Sequence, residues 1–481
     1  MASVHKCAQR LIPALTLSVY SCFVCTAGYA QDSSAAAPRA DSKAANNAEF
    51  LAAADEVLQQ MSEITGLKLL SPLKKSLRSR EEIRAYVIRQ MNEEKNAAER
   101  YADARTAEAF GLLPKGFDLD TFMVNVLTEQ IEGLYDPKNQ EFYIADWSAP
   151  DEQRMVMAHE LTHALEDQHF HIEAWSRAAR PNDDAELARD AVLEGSAMAA
   201  MVDYLMQGTG RSLKDLPEFD PSMLFDQLDM QNTPALKSAP PFLKDSLIFP
   251  YISGLNFSAA VLKNSGWPAL AGVFERPPVS THEILHPEVY KSKRFDKTGE
   301  VVFGKPASTV SLPSLEKILG KDWAKLDENI MGEFGWKEVL KQFLDDGRAK
   351  SLAAAWDGDR YATYEQKETK KLILLTRLHL DSEEHGGRFF GQYSEALEKK
   401  HTERSNLLRR PNFFQFDTPD GGAFLYCFGE SCVTMEGGTR KLFDAFTKAL
   451  EWPSAPQPPE HPGAAPEKTA ALFFPAAQPA R

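Results

Sequence analysis

The chain of 481 residues carries 69 acidic and 54 basic side chains, a formal charge of −15, with 43% hydrophobic residues. That length exceeds what one core usually organises, so two or three folded units are expected. The acidic balance excludes nucleic-acid binding through a basic surface.

Residues 1–30 read as a secretory signal: Lys6 and Arg10, an apolar run from Leu11 to Cys25, and small Gly28 and Ala30 at a cleavage site. Their removal takes away three cysteines and leaves Cys427 and Cys432 in "YCFGESC", a pair that suits one local disulfide across a hairpin turn in an exported chain. No second membrane-length stretch occurs, so no integral membrane segment is expected after cleavage. Residues 31–47 form a low-complexity linker, and 453–481 a disordered tail rich in Pro and Ala.

The folded material lies between. Residues 48–118 form an N-terminal region: helix over 48–65, an extended "GLKLLSPLKKSL", then a capping box of Ser79 and Glu82 that opens a long helix to about Phe110. This region is expected to cover or brace the segments after it. Apolar spacing predicts a helix from Leu119 to Glu132, and "GLYDPKNQEFYIAD" alternates as a hairpin turning at Asp136 to Asn139. Ser148 to Asp151 is a helix start, so a helix should run from about Pro150 to Gln168, and another from about Asn182 to Met206. Beyond Tyr290 lie a helical patch, "LDENIMGEFGWKEVLKQFLDDG", and strand-like "KKLILLTRLHL" and "GGAFLYCF". The expected class is α+β: a central unit over 119–290 with an edge β-hairpin, and an α+β region over 291–452.

The pattern H-E-x-x-H occurs twice, as His159-Glu160-Leu161-Thr162-His163 and as His282-Glu283-Ile284-Leu285-His286. Zinc needs the two imidazoles on one face of a helix, one turn apart, with the Glu beside them to reach a bound water. The upstream copy has helix-forming flanks without a breaker. The downstream copy comes after Pro277-Pro278 and meets Pro287 directly after His286, which drives His286 out of helical geometry. The upstream copy is therefore the expected metal helix.

A catalytic zinc takes a third protein ligand. His169, six residues after His163, has the spacing of metzincins, but that family has Gly where this chain has Glu166, and a continuing helix swings His169 away. Glu194 is the stronger candidate, because it sits in an apolar stripe of Leu187, Ala191, Met198 and Met201 and a buried carboxylate needs a partner. Gly195 and its small neighbours would let that helix approach the His159 helix closely.

With these residues the chain resembles the gluzincins, the thermolysin-like zinc metallopeptidases in which H-E-x-x-H on one helix is completed by Glu on the next. The resemblance covers about residues 119–206. The chain also looks like a group of exported bacterial proteins with "GLYDP", "HELTHALEDQHF", "LEGSA" and "PPVSTHEILHPEVY" in this order, over about 66–450. The resemblance implies a zincin-like core, Zn2+ held by His159, His163 and Glu194, Glu160 as catalytic base, and a periplasmic or secreted protein. One position departs: thermolysin-like enzymes carry Asp four residues after the ligand Glu, and here it is Met198. The carboxylate that orients a ligand histidine must then be Asp190, Asp167 or Glu166.

The expected activity is hydrolysis of peptide bonds, with Glu160 taking the proton of the attacking water. A tetrahedral oxyanion needs a further donor, for which His286 is the candidate and Tyr290 the second choice. The strand "QEFYIA" could pair with an extended polypeptide substrate. Two other readings stay open: a zinc-stabilised binding or assembly protein of the envelope with little or no hydrolytic activity, and hydrolysis of a non-peptide amide in the cell wall.

Overall fold

The computed structural model describes residues 40–147, 153–216, 234–295, 301–304 and 307–457, so the signal, the helix start at 148–152 and most of the tail lie outside the described residues. The order of elements begins α1 (Ala40–Thr65), β1 (Lys74–Arg78), α2 (Arg80–Glu94), α3 (Ala97–Phe110), α4 (Leu119–Gln130), β2 (Gly133–Asp136) and β3 (Glu141–Ala145). Next come α5 (Arg154–Phe170), α6 (Ile172–Arg177), α7 (Asp183–Leu205), α8 (Pro241–Glu275), α9 (Thr281–Leu285), α10 (Pro287–Lys291) and the short pair β4 (Lys293–Phe295) and β5 (Val301–Phe303). The last part holds β6 (Trp323–Asn329), α11 (Gly332–Lys341), α12 (Asp346–Ala353), β7 (Trp356–Gln366), β8 (Leu372–Leu380) and α13 (Glu383–Lys400). It closes with β9 (Ser405–Arg409), β10 (Phe413–Thr418), β11 (Gly421–Phe428), β12 (Ser431–Gly438) and α14 (Arg440–Ala449). The chain is thus a mixed α+β protein.

Local chemistry explains most boundaries. The Ser79–Glu82 capping box opens α2, but the long helix expected to reach Phe110 is broken at Lys95. There Asn96 makes a second capping box, its side chain accepting from the N–H groups of Ala98 and Glu99, and starts α3 afresh. The linker expected over 31–47 is helical from Ala40 onward, since α1 extends back into it. Leu326 to Asn329, read as part of a helical patch, belongs to β6 instead. No helix among the described residues is long and apolar enough to cross a membrane.

Two sheets organise the rest. In the three-stranded sheet β3 is central, with β1 parallel on one side and β2 antiparallel on the other. This corrects the expectation that "QEFYIA" offers an edge to an extended substrate: the chain's own Lys74–Arg78 already occupies that position. The seven-stranded sheet, ordered β6-β7-β8-β12-β11-β10-β9, is antiparallel throughout. Period-two alternation divides its side chains. Leu374, Leu378 and Leu425 join the main core with α13, whereas Ile373, Leu375, Phe424 and Val433 pack with Phe443 and Phe446 of α14 on the other face. Cys427 and Cys432 are directly opposite on β11 and β12 and form a disulfide across that hairpin.

The main core runs without interruption from α1 through α5, α7 and α8 to the inner face of the large sheet. Helix α7 is enclosed on nearly every side, with all residues from Asp183 to Val202 buried except Arg189. Its closest neighbour is α8, an apolar helix interrupted at Gly266 (φ 66°) two residues before Pro268. The approach is so close that a Cβ on Gly195 would lie 2.1 Å from the Gly254 carbonyl oxygen, and one on Gly254 would lie 2.0 Å from that of Ala191. Gly195 therefore serves the contact with α8, and not, as its neighbourhood had suggested, the approach to the His159 helix. Gly254→Ala is expected to lower stability by about 3 kcal/mol, because two backbones must part to admit one methyl group; a denaturant midpoint equal to that of the wild type would contradict this packing.

Candidate metal centre

Helix α5 lies between α1 and α7, and its H-E-x-x-H segment is buried throughout. Continuous helix from Arg154 to Phe170 puts His159 and His163 one turn apart, with their rings 4.8 Å apart and nearly perpendicular. Opposite them α7, capped by the Asn182 side chain, presents Glu194. Its Oε2 lies 3.0 Å from His159 Nε2 and 3.7 Å from His163 Nε2, and the two Nε2 atoms are 3.1 Å apart. Three atoms that can each ligate a cation thus face one point.

The surroundings orient them. His163 Nδ1 faces Glu166 Oε2 at 3.3 Å, and the other oxygen of Glu166 accepts from the Ser196 hydroxyl of α7. Of the three carboxylates weighed for orienting a ligand histidine, Glu166 is the one in place. Asp167 accepts from the Tyr135 hydroxyl and the Ile172 N–H, and Asp190 from the Ser176 hydroxyl. His169 does not join the cluster; its Nε2 lies 2.8 Å from the Lys68 carbonyl oxygen.

Glu160 is fully buried, and its Oε2 accepts the Tyr135 backbone N–H of β2 at 2.7 Å. Among the described residues its Oε1 has no hydrogen-bond partner. A buried carboxylate oxygen left unpaired costs free energy unless something polar reaches it, so a water or cation in this space fits the residues present. Burial pushes the Glu160 carboxyl well above its ordinary range, against the opposing pull of His163 and the Tyr135 N–H. Burial also opposes ionisation of Glu194, yet its bonds to His159 and His163 hold its carboxyl below the usual value. His159 is held below its ordinary value by burial.

Tyr251, on α8 one turn before Gly254, was not foreseen from the sequence. It stacks over His159 with ring centroids 6.1 Å apart, and its phenol hydrogen-bonds Glu194. Burial, then the Glu194 and Glu160 charges, keep that phenol protonated far above the usual range. The Gly195–Gly254 crossing is what brings it there. No polar spacing in "FPYISGLNFSAA" announces it; the pair of glycines on two apolar helices is the only signal.

A cleft of about 630 Å3, open mouth included, is walled by Tyr86 and Gln90 of α2, Tyr135 of β2, Ser176 of α6, and Asp190 and Leu193 of α7. Two of its lining residues adjoin the cluster: the Tyr135 N–H holds Glu160, and Leu193 precedes Glu194. The N-terminal region thus supplies one wall of it.

His286 is not brought to this cluster. Thr281, at the start of its segment, contacts Asp184, ten residues before Glu194 on α7 and so about 15 Å away along the helix. His286 faces Glu333 there, and the Tyr290 hydroxyl donates to the Arg276 carbonyl. The expectation of either as an oxyanion donor to the upstream cluster is therefore corrected.

Comparison with known proteins adds little on activity. Residues 321–445, which hold the whole seven-stranded sheet and α13, match the family described as "Domain of unknown function (DUF8575)". Comparison with curated proteins gives no match. A crystal structure described as "a putative hydrolase with a novel fold", from Chloroflexus aurantiacus, is similar at 17% identity and a TM-score of 0.30, over 52% of this chain and 90% of that one. At that score the likeness carries no argument about fold or function.

Proposed function

We propose that the chain is an exported zinc metallopeptidase with a zincin-like core, in which His159, His163 and Glu194 hold the metal and Glu160 is the general base. The observation that carries this reading is the convergence of three ligand atoms beside a Glu whose second oxygen is buried and unpaired. A zinc ion held by His159, His163 and Glu194 would supply an acidified water and a polarised substrate carbonyl. Glu160 Oε1 is free to take the water's proton, while Oε2 stays fixed on the β2 backbone. The same carboxyl then returns the proton to the leaving amine. Tyr251 donates to Glu194 and, fully buried, excludes bulk water from that side.

A polypeptide is the proposed substrate, and the cleft between α2 and α7, lined by Tyr86, Tyr135 and Leu193 together with charged Glu94, Lys138 and Arg177, is its proposed approach. Turnover of an unstructured polypeptide by the zinc-loaded protein, lost with a chelator and restored by zinc, is the test; stoichiometric zinc without cleavage of any peptide would overturn it. The burial of all three ligands favours a second reading, a zinc-stabilised binding or assembly protein of the envelope, and the same result would select it.

Glu166→Ala removes the carboxylate that orients His163 and one of the two acceptors of the Ser196 hydroxyl. Zinc affinity is expected to fall about 10–100-fold, as losses of such outer partners do. Wild-type affinity in a chelator competition would show that Glu166 plays no part.

A further inference from the structure

The downstream H-E-x-x-H ends where Pro287 requires. Helix α9 is one turn of five residues, and His286 leaves it with φ −126° and ψ 74°. The rings nevertheless converge, with centroids 4.6 Å apart, because a histidine just past the last turn can still swing back over the one four residues before it. Both face Glu333: His282 Nδ1 lies 2.5 Å and His286 Nε2 3.0 Å from Glu333 Oε2.

Glu333 is delivered with care. It comes directly after Gly332, whose positive φ of 71° and missing side chain are both needed, since a Cβ there would lie 1.7 Å from Asp184 Oδ1. Asp359 of β7 accepts the N–H groups of Met331 and Gly332, and Thr281 Oγ1 donates to Asp184 while accepting the Phe334 N–H. Four elements, α7, α9, α11 and β7, thus fix Glu333 against two histidines to which no sequence spacing relates it. Glu333, Asp184 and Asp359 are buried, and among the described ion pairs no Lys or Arg reaches any of them. Among the described ion pairs, the two imidazoles are the partners of Glu333.

We propose that His282, His286 and Glu333 form a second divalent-metal site, with a ligand set suited to zinc, that pins the helical half of the molecule to the C-terminal sheet. Two imidazole nitrogens and one carboxylate oxygen match the ligand chemistry of zinc, and all three donor atoms lie within 4.8 Å of one another. The side chains of His282 and His286 are 18% and 29% exposed, so the fourth position opens to solvent. The site lies apart from the upstream cluster, and neither depends on the other for its ligands.

Titration of the metal-free full chain with Zn2+ against a chromophoric chelator decides between one site and two. The wild type should bind two equivalents. Glu333→Gln, and His282→Ala with His286→Ala, should each lose one and keep one, while Glu194→Ala loses the other. A wild type that binds one equivalent, retained in Glu333→Gln, overturns the proposal. One equivalent lost in Glu333→Gln but kept in Glu194→Ala would support this site and remove the metal from the peptidase reading instead. Should the variants unfold, crystals of the zinc-soaked wild type answer the question: an anomalous zinc peak between His282, His286 and Glu333 supports the site, and its absence at saturating zinc refutes it.

Discussion

Glu160→Gln is expected to lower peptide turnover by about 10²–10⁴-fold while leaving zinc content unchanged. The amide occupies the space of the carboxylate and still accepts the Tyr135 N–H through its oxygen, so β2 and α5 keep their relation. It loses the ability of the second oxygen to take a proton, and the amide nitrogen that replaces that oxygen is a donor. Because Glu160 is not among the three converging ligand atoms, metal binding does not depend on it. Burial of an unpaired carboxylate costs stability, so the variant should also be at least as stable as the wild type. A variant that retains wild-type turnover would remove Glu160 from the mechanism, and one that loses both zinc and turnover would make it a ligand.

Glu194→Ala is expected to release zinc from the upstream cluster, with a loss of affinity well beyond the roughly 10–100-fold that comes with removal of an outer partner. The substitution deletes the carboxylate that faces both histidines and removes the acceptor that Glu194 offers the Tyr251 phenol. His159 and His163 alone supply two neutral nitrogens, short of the three protein ligands of a catalytic zinc. Chelator competition measures the change. If His169→Ala releases the metal and Glu194→Ala does not, Glu194 is not the ligand; the hydrogen-bonded position of His169 beside Lys68 argues against that outcome.

Local signals in this chain carried well where a few neighbouring residues decide the structure. The Ser79–Glu82 capping box, the hairpin at Asp136 to Asn139, α5, α7 and the cysteine pair on β11 and β12 all arise from short-range chemistry. So does the placement of Glu194 opposite the two histidines, since a carboxylate within an apolar helical stripe must meet a partner in the core. Long-range contacts were illegible for an equally physical reason. Nothing in "LKKSLR" says that it will pair in parallel with a strand some 65 residues on, and nothing in "GEFGW" says that Glu333 will meet His282. Pro287 shows where a correct local rule stops: the helix does end there, but ring position depends on the residue after the last turn as well as on the helix. Tyr251 needed the crossing of α7 and α8, which the two glycines permit without naming.

The most direct test of the central claim measures zinc content and polypeptide turnover on the same preparation of the purified, zinc-loaded chain, before and after chelation and alongside Glu194→Ala. The upstream centre predicts cleavage that disappears with the metal, returns with zinc, and is absent from Glu194→Ala at every zinc concentration that restores the wild type. Cleavage that persists in Glu194→Ala, or a fully loaded wild type that cuts no peptide, would contradict it.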